Sequence, residues 1–238
     1  MLRPSLRKND QMRPVSLEIN TNKWAEGSCT IQIGDTIVIC NASVEPSQPL
    51  WKRQQNLTGG WVTAEYSMLP RAVGNRKNRD AIARDHRGAE ISRLIGRSFR
   101  SVVDMDKLGK HTVTIDCDVI QADGGTRCAA ITGGFIALKL AVKKLMDSGR
   151  ISEDPISDFL AATSVGVWHG ELVLDLDFAE DSAAEMDANF VVTGDSKFIE
   201  VQATGEAHPF KPEQLSDMMT MAATGCAKLI ALQKQVLS

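Results

Sequence analysis

Asp116-Cys-Asp-Val-Ile-Gln-Ala-Asp-Gly-Gly-Thr-Arg-Cys-Ala-Ala-Ile-Thr-Gly133 is a stretch in which a strand period stops at two glycines and a helix period begins. From His111 to Gln121 the residues alternate. Val113, Ile115, Cys117 and Val119 share one face, and Thr112, Thr114, Asp116 and Asp118 the other, as a half-buried strand requires. After Gly124-Gly125, the positions of Ala129, Ala130, Ile131, Phe135, Ile136, Leu138, Ala141, Val142 and Leu145 fit one buried helix. The backbone N–H groups of Gly125, Thr126 and Arg127 then lie without intrahelical partners at its N-terminus, a place that attracts phosphate. A turn with no ligand would show the same two glycines. Arg127 favours the anion, because a guanidinium in the first turn stands at the wrong end of the macrodipole and a bound anion offsets that cost. The sequence has no G-x-x-x-x-G-K-[ST] and no strand-linked G-x-G-x-x-G, so the expected phosphate loop is of another kind.

Upstream, Val15, Leu17 and Ile19 alternate into a first strand, preceded by a polar segment, residues 1 to 14, read as extended. Thr30 to Ile33 and Thr36 to Val44 predict a hairpin about Gly34-Asp35. A loop from Glu45 to Thr58 follows, then a strand from Trp61 to Leu69. Residues 71 to 83 read as a mobile basic loop, and Ala83 to Val103 as a helix whose apolar stripe includes Ile91, Leu94, Ile95, Phe99 and Val102. Arg87, four residues before Ile91, falls on the stripe side and is expected to point inward, toward an anion or a structural carboxylate.

Downstream, Gly149 to Asp158 with Pro155 is the expected seam between residues 1–148 and 149–238, two halves of one compact unit. Ala162 to Trp168 with Glu171 to Phe178, and Ala188 to Thr193 with Lys197 to Ala203, predict two more hairpins. A helix from Pro212 to Val236 follows. Each half thus offers hairpins followed by a helix. That hints at a duplication, although residue identity between the halves is faint.

Composition narrows the function classes. With 43% hydrophobic residues and a net charge of −3, the chain has a core and is no general polyanion binder. The N-terminus lacks an apolar signal region and no uncharged run approaches the roughly 18 residues needed to span a bilayer, which leads us to expect a cytoplasmic protein with no membrane contact. Five scattered cysteines without a C-x-x-C pair indicate neither a disulfide framework nor a zinc site. Charge is unevenly spread: residues 71–100 carry nine basic and three acidic side chains, and residues 171–187 carry seven acidic and no Lys or Arg. The first region suits a polyanion and the second a cation.

Asp181 and Asp187 fall between two predicted strands, where a tight connection would bring them together. Two neighbouring carboxylates hold Mg²⁺, or one stays protonated and acts as a general acid; a solvated acidic turn reads the same way. His86, His111, His169 and His208 are isolated and no nucleophilic triad is visible. A phosphate turn, a basic loop, an inward arginine and paired acids are together the parts needed for chemistry on a phosphodiester.

These parts sit in stretches that resemble the ribonuclease PH family of bacterial phosphorolytic exoribonucleases, which trim tRNA 3′ ends. The matching stretches are Gly60 to Ala72 (GWVTAEYSMLPRA), Glu90 to Arg97 (EISRLIGR), Asp116 to Arg127, and Leu174 to Ala184 (LDLDFAEDSAA). The resemblance implies a two-layer α+β fold, mixed sheets with helices in duplicated hairpin-and-helix halves, of the kind shared with a ribosomal-protein domain and assembled as a homo-hexamer, a trimer of dimers. It implies attack of inorganic phosphate on the last phosphodiester of a tRNA precursor or other RNA, with release of a nucleoside diphosphate. It places the phosphate site on Arg87, Gly125, Thr126 and Arg127, and the catalytic, metal-holding acids (Mg²⁺ or Mn²⁺) on Asp181 and Asp187. RNA contacts fall on Arg71, Arg76 and Arg79. Cys128 replaces the usual Thr or Ser and removes a hydroxyl near the nucleophile, and Gly88-Ala89 replaces Thr-Gln beside Arg87. Two other readings remain: a metal-dependent hydrolytic nuclease needing only the carboxylates, and an inactive RNA-binding subunit of an exosome-like ring, which typically loses the arginines or acids kept here.

Overall fold

A computed structural model of the chain describes residues 3–79 and 86–238. Alternation organises the first half. β1 (Val15–Ile19), β2 (Gly27–Ile33), β3 (Thr36–Glu45), β4 (Trp61–Met68) and β5 (Thr112–Gln121) form a sheet in the order β1-β2-β3-β5-β4. Ile33 pairs with Thr36 across the expected hairpin, and Gly34 at φ +57 supplies the conformation such a short turn demands. β5 buries Val113, Ile115, Cys117 and Val119 as its alternation predicts. β4 and β5 run parallel, and a parallel pair needs a crossover, which contains α2 (His86–Arg100). Residues 83–85 of the expected helix lie outside the described residues. The loop after β3 holds a short helix, α1 (Leu50–Gln54), which no apolar period announced.

α3 (Thr126–Asp147) is buried without a break from Cys128 to Leu138. Over those residues the helix has no polar side and sits inside the protein, whereas its last turns expose Lys143, Lys144 and Asp147. Its glycines bring it close to its neighbours: a Cβ on Gly133 would lie 2.6 Å from the Ile31 side chain, and one on Gly134 2.9 Å from Phe99.

The second half is an antiparallel sheet, β7-β6-β8-β9, made of β6 (Leu160–Trp168), β7 (Glu171–Leu174), β8 (Met186–Thr193) and β9 (Phe198–Gly205). β6 is covered on both faces. Leu160 and Ala162 join the core that contains α3, whereas Ala161 and Val165 pack with Met218, Ala222, Cys226 and Leu229 of α5 (Pro212–Leu237). Gln233, in the stripe of α5 where an apolar residue is expected, donates from Nε2 to the carbonyls of Thr132 and Leu160, both at 2.9 Å. One amide thus ties α5 to α3 and β6.

Residues 149–158, where a seam was expected, are bonded to the segment after α2. Asp104 N–H donates to the Pro155 carbonyl (2.8 Å) and Ser157 N–H to that of Val102 (2.9 Å). The second predicted hairpin is shorter than expected, its strand ending at Leu174 and not Phe178. Asp175 turns at φ +56, and Asp177 then caps a short helix, α4 (Phe178–Ser182). The N-terminal segment is not simply extended and polar: Arg3, Arg7 and Arg13 are buried.

Candidate active site

The predicted phosphate turn joins β5 to α3. Gly124 and Gly125 both have positive φ (+76 and +65), and Gly125, the N-cap of α3, has no side chain to cap the first-turn N–H groups; among the described residues no other side chain is seen to bond them. Those donors are left for a ligand. Thr36 holds the turn from below: its Oγ1 accepts from Asp123 N–H (2.9 Å) and donates to the Gly124 carbonyl (2.7 Å). Tyr66 Oη and Thr126 Oγ1 share a hydrogen bond of 2.7 Å, and Arg127 Nη1 donates to Gln202 Oε1 on β9.

Opposite stands α4. Asp177 Oδ1 accepts from the Glu180 N–H (3.0 Å), and Glu180 Oε2 accepts from the Asp177 N–H (3.1 Å), a capping box that starts a helix too short to hold itself together. Glu180 then faces inward, where Arg3 grips both its oxygens at 2.6 and 2.7 Å and Arg7 reaches it at 3.1 Å. The next residue, Asp181, is turned outward. Asp187 does not share a turn with it: it is the second residue of β8, paired between Gly166 and Thr204. A short helix and the start of an inner strand converge where a single tight connection was expected.

A cleft of roughly 660 Å³ collects Arg87, Gly125, Thr126 and Arg127 from the first half and Asp181 and Asp187 from the second. Arg87 is exposed toward this cleft and not turned to the core, because α2 enters the core only at Ile91 and the turn before it overhangs the opening. Arg71, Arg76 and Arg79 are exposed and do not line the cleft; the neighbouring Val73 and Lys77 do. Their segment is folded back, with Lys77 N–H on the Pro70 carbonyl (2.9 Å) and Arg71 Nη1 on that of Gly74 (2.8 Å). Part of the expected loop, residues 80–83, lies outside the described residues.

Electrostatics in the cleft run against ionisation of the acids. Loss of water raises the pKa of Asp181; Arg87 and Arg127 pull it down and Glu206 pushes it up, leaving it above the ordinary range. Asp187 is raised by desolvation first, then by the like charges of Asp181 and Glu206. Two such carboxylates form the donor set that Mg²⁺ takes from a protein, the rest of its shell being water and phosphate oxygens. The repulsion between them is what a divalent cation would relieve, so the residues fit one. Among the described residues no three His, Cys, Asp or Glu side chains are gathered to hold a metal unaided.

The acidic segment 171–187 also has cations of the chain's own. Asp175, Asp177 and Glu180 are paired with Arg7, Arg13 or Arg3; of the other four acids, Asp181 and Asp187 line the cleft and Glu171 and Glu185 do not. Cys128 is buried and turned from the helix terminus toward β8, where its thiol donates to Asn189 Oδ1 at 3.3 Å. Burial pushes its pKa up to about 12, so it stays a neutral donor, as a hydroxyl would be.

Glu206, Gln202 and Phe178 also line the cleft and were not singled out from the sequence. Gln202 and Thr204 share a face of β9, so strand parity carried a signal for them; Glu206, just past the strand, had none.

Residues 11–144 match the model of the 3′ exoribonuclease family, domain 1, and residues 158–225 that of domain 2. Proteins named ribonuclease PH from two strains of Cereibacter sphaeroides are 52% identical over 238 residues, covering 99% of this chain and 100% of each relative. Among solved structures, rice (Oryza sativa) Rrp46 aligns with a TM-score of 0.80 at 19% identity, over 99% of this chain and 100% of that one. The Archaeoglobus fulgidus exosome with RNA bound to its active site aligns with a TM-score of 0.78 at 20% identity, over 96% and 91%. These two likenesses concern the fold.

Proposed function

The chain belongs to the 3′ exoribonuclease family and is a phosphorolytic exoribonuclease, and we propose that its reaction takes place in the cleft between the two halves. There inorganic phosphate, the co-substrate, attacks the phosphorus of the last phosphodiester of an RNA. A new P–O bond forms, the bond to the 3′ oxygen of the preceding nucleotide breaks, and a nucleoside diphosphate leaves.

The observation that carries this reading is that one cleft is lined by two unlike sets of groups: Arg87, Arg127 and the N-terminus of α3 from the first half, and Asp181 and Asp187 from the second. Phosphate and RNA repel each other, so the arginines and the helix terminus neutralise the nucleophile and hold it in line with the bond to be broken. Thr126, with its hydroxyl oriented by Tyr66, fixes one phosphate oxygen. Asp181, whose pKa is raised first by desolvation, is the group this proposal assigns to protonate the departing 3′ oxygen. Mg²⁺, or Mn²⁺, held by Asp181 and Asp187 would supply charge neutralisation at the scissile phosphate.

The substrates in this proposal are 3′-extended tRNA precursors. Arg71, Arg76 and Arg79, exposed on the segment beside the cleft, contact the RNA backbone through charge. Six copies form the working assembly, a trimer of dimers. Exposed Leu50, Trp51 and Leu57 offer apolar surface for contacts between copies. Five free cysteines suit a reducing compartment such as the cytoplasm, and no helix among the described residues is long and apolar enough to cross a membrane.

The test is incubation of the protein with a 3′-extended tRNA, Mg²⁺ and radiolabelled phosphate. Labelled nucleoside diphosphate is the expected product, formed only when phosphate is present. Nucleoside monophosphate released without phosphate would replace this reading with hydrolysis, and RNA binding without turnover would replace it with an inactive ring subunit.

A further inference from the structure

A guanidinium is seldom buried unless carboxylates or carbonyls meet its donors. The N-terminal segment buries three, and they do different things. Arg3 and Arg7 converge on Glu180 and the end of β7. Arg13 reaches both halves of the molecule. Its backbone N–H and its Nε donate to Asp175 Oδ2 at 2.8 and 3.0 Å, and its Nη2 donates to Asp175 Oδ1 at 2.7 Å. On the other side Nη1 donates to the Asp123 carbonyl, and Nη2 lies 3.5 Å from the Gly124 carbonyl.

Those two carbonyls belong to the phosphate turn. In a trans peptide the C=O and the following N–H point in opposite directions. Holding the Asp123 and Gly124 carbonyls toward Arg13 therefore turns the N–H groups of Gly124 and Gly125 away from it, on the side of the cleft that both residues line. The approach is close: a Cβ on Gly125 would lie 3.1 Å from Arg13 Nη2. Asp175, the other anchor, has φ +56, a conformation that persists only where the surroundings hold it, and it stands two residues before the cap of α4.

Resting on the reading of the cleft given above, we infer that Arg13 is a positioning residue for phosphorolysis, one that sets the phosphate turn of the first half against the Asp181 helix of the second. It touches neither phosphate nor RNA. Its fork is what matters, because two carbonyls and a bidentate carboxylate in different directions need four side-chain donors in fixed geometry. A lysine brings the charge without that geometry.

The experiment compares Arg13→Lys, Arg13→Gln, Arg3→Lys and Arg127→Ala in the full-length enzyme, with phosphate varied at saturating RNA below each variant's Tm. Both Arg13 variants are expected to raise KM for phosphate by about tenfold or more and to lower kcat, since small displacements of reacting groups cost rate steeply. RNA binding without phosphate should be unchanged. Arg3→Lys, which disturbs the same segment away from the turn, should lower Tm and leave KM for phosphate alone. Native KM and kcat in Arg13→Lys, with only a lower Tm, would overturn the inference, as would failure of both Arg13 variants to fold while Arg3→Lys folds. An unchanged KM in Arg127→Ala would overturn the phosphate-site reading itself. A raised KM in Arg127→Ala together with a native one in Arg13→Lys would remove only the role of Arg13.

Discussion

Gly124 and Asp177 meet backbone to backbone: a Cβ on Gly124 would lie 2.7 Å from the Asp177 carbonyl carbon and 2.8 Å from Phe178 N. The phosphate turn and the cap of the Asp181 helix are thus one packed unit, although they come from different sheets. Gly124→Ala adds a methyl at this contact and forces a side-chain-bearing residue to φ +76. The left-handed strain alone costs about 1–3 kcal/mol. Urea denaturation should show a loss of at least that size, and the phosphorolysis rate of the folded fraction should fall by about tenfold or more as the two sides of the cleft are pushed apart.

Glu206 raises the pKa of both cleft aspartates through its charge. A general acid works only while protonated, so the rate should fall as pH rises through the pKa of Asp181. Glu206→Gln removes one repelling charge, lowers that pKa and moves the alkaline limb of the kcat–pH profile to lower pH. A limb that stays in place would exclude Asp181 as the proton donor. Asp181→Asn should abolish the limb and reduce kcat by about 10²-fold or more.

Raised carboxylate pKa values also make the cleft a weak point in stability. A carboxyl whose folded pKa exceeds its unfolded value binds more protons when folded, so it destabilises the fold increasingly as pH rises from the unfolded pKa through the folded one. Asp187→Asn should therefore raise Tm at neutral pH while lowering activity. The gain should disappear in acid, where native Asp187 is also neutral. Scanning calorimetry of the metal-free protein at several pH values reads this directly.

Arg3 and Glu180 form a buried ion pair behind α4, outside the cleft lining, at 1% and 0% side-chain exposure. Burial by itself would raise the pKa of Glu180, but the Arg3 hydrogen bond, the Asp177 N–H and the charges of Arg3 and Arg7 outweigh it and leave it lowered. Its contribution is present above the unfolded pKa and lost as pH falls through the folded one. Removing one partner of such a pair strands the other, so Arg3→Met should cost about 3–5 kcal/mol in chemical denaturation. Arg3→Met with Glu180→Gln should recover part of it.

How much of this was legible in the chain depended on the range of the interaction. Val113, Ile115, Cys117 and Val119 follow from the sequence because burial on one face of a strand repeats every second residue, and α3 follows from the long run of apolar and small residues after Arg127. The Gly34 turn was readable because a two-residue connection needs positive φ. Arg87 was misdirected by extending the α2 stripe one turn too far, to where the helix has left the core. Asp187 was assigned to a turn because α4, five residues long, leaves no period to detect.

The sequence alone determined the strands, the long helices, the glycine turn with Arg127 behind it, and the family, because each is written in neighbouring residues. Only the tertiary structure decided what the N-terminal arginines hold. Arg3 finds Glu180 across 177 positions, and Arg13 finds Asp175 and the carbonyls of Asp123 and Gly124 across more than 100. A buried charge is satisfied by whatever partner the packed halves bring within about 3 Å, and no local pattern of residues records which partner that will be.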